Sequence, residues 1–274
     1  MFTRPEQNYD VPDEILDGIL ADPAQPLARI AALVEDGSYI LDIGAGNGLL
    51  ARVLSRAGKN VIIDGVEPNE FAAKLAAKYY RNFYAGFVQD HLDKLAKTKY
   101  NYVVLADVIE HMPNPLLVLS ELLDNLPTET RLIISVPNVA FGAVRLGLMN
   151  GQFHYVDSGL LEHTHLRFFT RRSLVQLFGL LGLRIDKYFS LERSFYRAEF
   201  VRKDISASLF PVMKLALDSD ARAYQYLFLL SKKNNEAASN DVAGESVGAS
   251  AFNILLDYLF ARPIIRAVLG RLRS

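Results

Sequence analysis

The stretch YILDIGAGNGLLARVL, Tyr39 to Leu54, runs an apolar strand into Asp42, then sets Gly44, Gly46 and Gly48 at alternate positions before helical spacing resumes. A tight strand-to-helix turn needs one residue with positive φ or no Cβ, which accounts for one glycine. Three glycines let a ligand lie against the backbone, and Asp42 puts a carboxylate at a strand tip where a core strand gains nothing from it. The spacing G-x-G-x-G departs from the dinucleotide fingerprint G-x-G-x-x-G, and the carboxylate would repel a pyrophosphate. A ligand that is cationic in part suits this turn better. Further on, VIIDGVE and YAGFVQD end in Glu67 and Asp90, followed by Pro68 and His91. All five histidines fall between His91 and His165. Histidine titrates near neutrality, as a general base for a hydroxyl must.

These residues need elements to hold them. Tyr39–Ile43, Val61–Glu67, Tyr84–Asp90, Tyr100–Asp107 and Arg131–Asn138 read as strands, with helices between them, the one from Pro68 and Pro115–Leu126 among them. That alternation predicts an α/β fold with a parallel sheet covered on both faces. Ligands then bind at the carboxyl edge of the sheet, where the glycine turn, Glu67, Asp90 and most of the histidines fall. Residues 1–36 form a helical lead-in, and 37–233 the main domain. Within it, 139–170 is an irregular insertion rich in aromatics and histidine, before a helix from Arg171 capped by Thr170. LRIDKYFSLE and YQYLFLLSKK are the last two strands, with a partly helical insertion around Ser206 to Leu217 between them. Residues 234–250 have the small, polar composition of a flexible linker.

The chain of 274 residues carries a formal net charge of −1, which argues against a surface built for nucleic acid. It has no cysteine, so thiolate and disulfide chemistry are excluded. MFTRPEQNYD lacks the apolar core of a signal peptide, and no uncharged apolar run spans a bilayer. The expectation is a cytoplasmic protein, soluble or peripheral at the inner membrane face. Residues 251–274 read as a basic amphipathic helix, with Arg262, Arg266, Arg271 and Arg273 against the single acid Asp257. Such a segment fits a membrane surface or a partner; the alternatives are packing on the domain and a dimer contact.

ILDIGAGNG resembles motif I of the class I S-adenosylmethionine-dependent methyltransferases, and the resemblance extends over roughly residues 27 to 231. It implies a Rossmann-like fold, a mostly parallel seven-stranded sheet with an antiparallel final strand and helices on both faces. It also implies S-adenosylmethionine as cofactor. Glu67 would accept hydrogen bonds from both ribose hydroxyls, Asp90 would receive the adenine amino group, and ADVIEHM (Ala106 to Met112) would close over the methionine part. The cofactor set is thus Asp42, Gly44, Gly46, Gly48, Glu67, Pro68, Asp90, His91, Ala106 and Asp107.

GLLEHTHLRFFTRRSL resembles a narrower subgroup associated with bacterial surface-polysaccharide synthesis. This implies in-line methyl transfer to a sugar or glycan hydroxyl, with His111, His163 or His165 as base and His154, Tyr155 and Arg167 binding the acceptor. Arg167 suits an acidic acceptor or, equally, a structural salt bridge. The alternatives are another small-molecule alcohol, a quinol or an amine as acceptor, and a non-catalytic binding module of the same fold. DVIEH places Asp107, Glu110 and His111 at D-x-x-E-H spacing, and related quinone O-methyltransferases carry a similar cluster with glutamate first. A divalent cation there would lower a hydroxyl's pKa; the leading reading has no metal.

Overall fold

The apolar runs pair side by side in one sheet, in a computed structural model that describes residues 12–233, 242 and 244–261. In chain order the strands are β1 (Tyr39–Ile43), β2 (Ile62–Glu67), β3 (Asn82–Ala85), β4 (Tyr102–Ala106), β5 (Arg131–Pro137), β6 (Leu183–Glu192), β7 (Ala223–Lys232) and β8 (Glu245–Gly248). They lie in the order β3-β2-β1-β4-β5-β7-β6-β8. The first five are mutually parallel. β7 inserts antiparallel between β5 and β6, and β8 adds to β6 in parallel. Four of the five residues of β1 are buried, as are four of five in β4. Near-continuous burial is what a parallel strand covered on both faces requires.

Side-chain alternation splits the strands between two cores. On one face Ile40, Val104 and Ile133 pack against α1 (Asp13–Ala21), α2 (Pro26–Leu33) and α3 (Leu49–Arg56), through Leu16, Ile30 and Leu54. On the other, Leu41, Leu105 and Ile134 meet α6 (Pro115–Asp124) and α8 (Arg171–Leu180), through Leu119, Leu122, Leu174 and Phe178. Between these lie α4 (Glu70–Ala76), the single-turn α5 (Leu92–Leu95) and α7 (Gly142–Met149). Polar caps set the starts that matter. The Asn69 side chain accepts from Phe71 and Ala72 at α4, Asn114 accepts from Leu117 with Pro115 opening α6, and Thr170 caps α8 as expected. A third core joins α7, α9 (Leu209–Leu217), α10 (Ser219–Arg222) and α11 (Ala251–Ala261) around Phe141, Phe195 and Ile205.

Three expectations need correction, and the described part of the tail takes one of the alternatives left open for it. The sheet has eight strands rather than seven, because Glu245–Gly248, inside the expected linker 234–250, pairs with β6. β3 ends at Ala85, so Asp90 sits in a 3-10 turn, Val88–His91, and not at a strand end. The insertion 139–170 is not wholly irregular: it contains α7, whose apolar face is buried with Phe141 and Phe195. α11 is docked on the main domain, with Ile254 and Tyr258 buried and Asp257 paired to Arg197 at 2.8 Å. Arg262, Arg266, Arg271 and Arg273, which give the tail its basic reading, lie outside the described residues.

Candidate functional site

A cavity of about 650 Å³ opens where β1, β2, β3 and β4 end, a size suited to a small-molecule ligand. Gly44, Glu67, Pro68, Asp90, Asp107 and His111 line it, together with Gly86, Phe87 and Met112. The glycine turn shapes its floor. Gly44 has φ +73°, and a Cβ there would sit 2.6 Å from a methyl of Val108, so both conformation and space demand glycine. The turn is tied to β2: the Gly44 and Ala45 N–H groups donate to the Val66 carbonyl at 2.9 and 3.0 Å. Gly46 N–H donates to Glu67 Oε2 and Asn69 N–H to Glu67 Oε1, both at 2.8 Å. Each Glu67 oxygen thus accepts one backbone N–H, and the residue stands on the cavity wall.

Asp42 lies beneath this turn, only 2 % exposed, and is absent from the cavity wall. Tyr80 Oη donates to its Oδ2 at 2.7 Å. Burial pushes the Asp42 carboxyl up to about 7 against the pull of the Tyr80 bond, and the Glu67 charge adds to the rise. Asp90 is on the wall, its Oδ2 accepting the Phe87 N–H at 3.0 Å. His91 is turned away from the lining and bonds the Ala85 carbonyl through Nε2 at 2.9 Å, fixing the turn after β3. Phe87 is 66 % exposed on the wall; the sequence carries no sign of that, because exposure of an aromatic is a tertiary property.

Asp107 follows β4 with φ 57°, the only non-glycine positive φ among the described residues. Such strain persists only where surroundings enforce it. Here Ser135 Oγ donates to Asp107 Oδ1 at 2.9 Å, and the Gln225 amide donates to the same oxygen. Asp107 is accessible at the wall yet crowded by protein. That desolvation raises its carboxyl pKa, opposed by the Ser135 bond, the His111 charge and the Gln225 bond.

The adjoining turn, Ile109–His111, carries a denser cluster. Potential donor atoms of Glu110, His111 and His165 lie within 4.8 Å of one another. The His111 and His165 rings meet edge to face, centroids 4.8 Å apart. What brings His165 here is backbone: the Leu166 and Arg167 N–H groups donate to the Glu110 carbonyl at 2.8 and 3.0 Å. His111 Nδ1 faces the Thr164 carbonyl at 3.2 Å, and His165 Nδ1 the Leu160 carbonyl at 3.0 Å. A carbonyl only accepts, so each Nδ1 holds the proton and each Nε2 is left basic. Thr164 Oγ1 also accepts from His111 Nδ1 at 3.1 Å and donates to Glu162 Oε1 at 2.5 Å. Burial drives the Glu110 carboxyl well above the usual range, helped by the Asp107 charge, and lowers His165.

Of the three histidines expected near the acceptor's proton, His111 lines the cavity and His165 backs it. His163 does not join them: it is exposed, with Nδ1 on the Val156 carbonyl at 3.2 Å. The expected acceptor residues divide further. Arg167 grips the Pro113 carbonyl through Nε and Nη2, at 3.0 and 2.5 Å, which makes it a clamp on the turn after His111. His154 is exposed on Gln152, at 2.6 Å. Tyr155 packs with Phe153 and Phe168, and Phe168 in turn stands 6.4 Å from the His165 ring. Gly46, Gly48 and Ala106 shape the turn and the end of β4 without lining the cavity.

A sequence-family model described as "Methyltransferase domain" matches residues 17–188. Among curated relatives, a ubiquinone biosynthesis O-methyltransferase of Rickettsia akari (strain Hartford) is 31 % identical over 128 residues, 46 % of this chain and 50 % of that protein. One from Actinobacillus pleuropneumoniae serotype 5b (strain L20) is 30 % identical over 137 residues, 47 % of this chain and 57 % of that protein. The chain thus spans about half the length of these relatives. Among solved structures, a SAM-dependent methyltransferase from Archaeoglobus fulgidus shares the fold with TM-score 0.55 and 17 % identity, covering 83 % of this chain and 97 % of that one. The plantazolicin methyltransferase BamL, solved with a substrate analogue and SAH, does so with TM-score 0.51 and 13 % identity, covering 81 % and 90 %. The matched span runs from α1 into β6 and includes the glycine turn, Glu67, Asp90 and the His111 cluster. The chain belongs to the methyltransferase domain family.

Proposed function

We propose that this enzyme methylates a hydroxyl oxygen on a ring-bearing small molecule, a phenol or quinol in the first instance. One observation carries the reading: His111, its Nδ1 proton held by the Thr164 carbonyl, lines the same cavity as Glu67 and Asp90. The cofactor's nucleoside would lie against those carboxylates and the glycine turn, leaving its sulfonium to face the Asp107–Met112 wall. Methyl transfer moves one carbon from sulfur to oxygen while the S–C electron pair stays on sulfur. The hydroxyl must lose its proton as the new bond forms, and Nε2 of the His111 cluster is the basic atom on that wall. A phenolic hydroxyl, with a pKa of about 10, is within easier reach of an imidazole than an alcohol is.

The aromatic group of Phe153, Tyr155 and Phe168 behind His165 suits a flat ring at the acceptor end. The names of the curated relatives point the same way. The glycan acceptor expected from the sequence has no such support among these relatives and is the second arm of the test. Purified full-length enzyme would be offered S-adenosylmethionine with catechols and hydroquinones in one series, and sugar nucleotides and free amines in others. Formation of S-adenosylhomocysteine and the methylated product is followed. Turnover confined to the phenolic series, lowered about 100-fold or more by His111→Gln with cofactor affinity kept, is expected. Turnover confined to sugars or amines overturns the proposal.

A further inference from the structure

We infer that Gln225, on β7, is a positioning residue that holds the Asp107 carboxylate toward the ammonium group of the bound cofactor. The first observation is where its side chain goes. Gln225 is buried near the start of β7, opposite Leu191 of β6 and on the same face as Leu227, both buried as well. An amide among apolar neighbours is unfavourable unless its donors are met. Its Nε2 donates to Asp107 Oδ1, across 118 positions of chain. The second observation is the state of the residue it holds. Asp107 takes φ 57°, a conformation that persists only where the surroundings over-determine it. Ser135 closes a ring with it: the Asp107 N–H donates to Ser135 Oγ at 3.1 Å, and that hydroxyl donates back to Oδ1 at 2.9 Å. β5 and β7 pair Ser135 with Leu227 and Pro137 with Gln225, so Ser135 and Gln225 share one face of neighbouring strands and reach the same oxygen. Among the described residues no hydrogen bond falls on Oδ2, and Asp107 lines the cavity. The carboxylate is thus fixed by one oxygen and offers the other to a ligand.

Strand order says which part of a ligand that oxygen meets. Glu67 ends β2, Asp90 follows β3 and Asp107 follows β4, with β1 and its glycine turn between β2 and β4. A nucleoside held against Glu67 and Asp90 leaves the amino-acid end of the cofactor to cross the glycine turn toward β4. There its ammonium can donate a charge-assisted hydrogen bond to Asp107 Oδ2. The two donors on Oδ1 favour the ionised carboxylate, which such a contact needs. β7 lies beyond residues 17–188, the span that the family model matches. The device that aims Asp107 is therefore supplied from outside that span. The inference rests on the cofactor placement given under the proposed function and not on which acceptor is methylated.

The test uses no acceptor. Calorimetry on the full-length protein compares S-adenosylhomocysteine with the analogue that lacks only its α-amino group. The wild type should prefer the amine by about tenfold or more, as one charged hydrogen bond requires. Gln225→Leu nearly keeps the volume of the side chain and removes the donor. Its preference should fall to about threefold or less, while its affinity for the deaminated analogue stays within about threefold of wild type. Asp107→Asn should abolish the preference, and adding Gln225→Leu to it should change nothing further, because the two residues act as one unit. Should Gln225→Leu not fold, Gln225→Met and Ser135→Ala carry the same test at the same oxygen. An unchanged preference in Gln225→Leu overturns the inference, and so does an equal loss of both ligands, which marks a merely structural residue. A wild type that binds S-adenosylhomocysteine without preferring the amine overturns it and leaves the cofactor reading standing. A wild type that binds neither ligand ends both.

Discussion

Replacing Glu67 by glutamine keeps its shape and removes its charge, which makes it the sharpest probe of the cofactor end. In the structure the carboxylate accepts two backbone N–H groups at 2.8 Å, from Gly46 and Asn69. Glutamine offers one acceptor oxygen and presents an amide NH₂ to the second N–H. One hydrogen bond to a charged group is thereby lost, at about 1.5–3 kcal/mol. For a chain of this size that lowers the thermal midpoint by about 3–10 °C. The ribose is the second readout. If its hydroxyls donate to the remaining lone pairs, losing one charged acceptor weakens S-adenosylhomocysteine binding by about 10–100-fold. Disturbance of the glycine turn could mimic that loss, so the selectivity for ribose is the decisive quantity. Calorimetry would compare S-adenosylhomocysteine with its 2′-deoxy analogue on both proteins. The wild type should discriminate by about tenfold or more, and Glu67→Gln should discriminate little. Equal selectivity in the two proteins would falsify the ribose assignment, whatever happens to stability.

Two further outcomes are expected. Asp42, raised to about 7 by burial, is protonated in the fold and ionised in the unfolded chain between the ordinary carboxylate value and 7. Its contribution to stability is full at acid pH, is lost as pH climbs through 7, and is flat above. The difference in unfolding free energy between wild type and Asp42→Asn should therefore shift by about 3 kcal/mol between about pH 5 and pH 8; a constant difference refutes the buried state of this carboxyl. Ending the chain after Ser250 uncovers the partners of Ile254 and Tyr258, which are 0 % and 4 % exposed, and should cost about 3–6 kcal/mol by denaturant unfolding. Ending it after Ala261 should leave stability unchanged and abolish any salt-sensitive sedimentation with anionic vesicles that the tail arginines confer; the reverse pattern refutes the docking of α11.

The central sheet was legible because its strands are short apolar runs with both faces covered, a pattern that survives in one dimension. β1 is the clearest instance, since Tyr39–Ile43 is the span read from the sequence. β8 was not legible, because ESVG has no apolar run and owes its state to pairing with Phe189–Glu192. Its burial is slight, so hydrophobic periodicity had nothing to report. Asp90 was misplaced for a related reason. The apolar residues Phe87 and Val88 continue the pattern of β3, yet the chain turns at Gly86, φ +123°, and Asp90 caps the turn by accepting Phe87 N–H. α11 was read as amphipathic, but whether such a helix covers its own domain or another surface depends on a partner face that sequence does not display. Here that face is α9.

The candidate site divides along the same line. Residues placed by their own backbone position, Gly44, Glu67 and Asp107, stand at or just after the ends of their strands and line the cavity, and the family resemblance picked them out in the sequence. The histidines act through whatever their second nitrogen finds, and that is a long-range matter. His163 and His165 stand two positions apart in the same loop. One is exposed beside Asp157, at 3.8 Å, and the other is 7 % exposed against His111. The difference arises because Leu166 and Arg167 hang the loop from the Glu110 carbonyl, with Arg167 closing on Pro113. Those bonds fix which side of the loop turns inward, and inward means toward a carboxylate with no other partner. Arg167, assigned from its charge to the acceptor, serves as the clamp that holds His165 in register with His111. Replacing a charged acceptor contact by a main-chain clamp moves the chemistry of this loop from binding an anion to assembling Glu110, His111 and His165 on one wall.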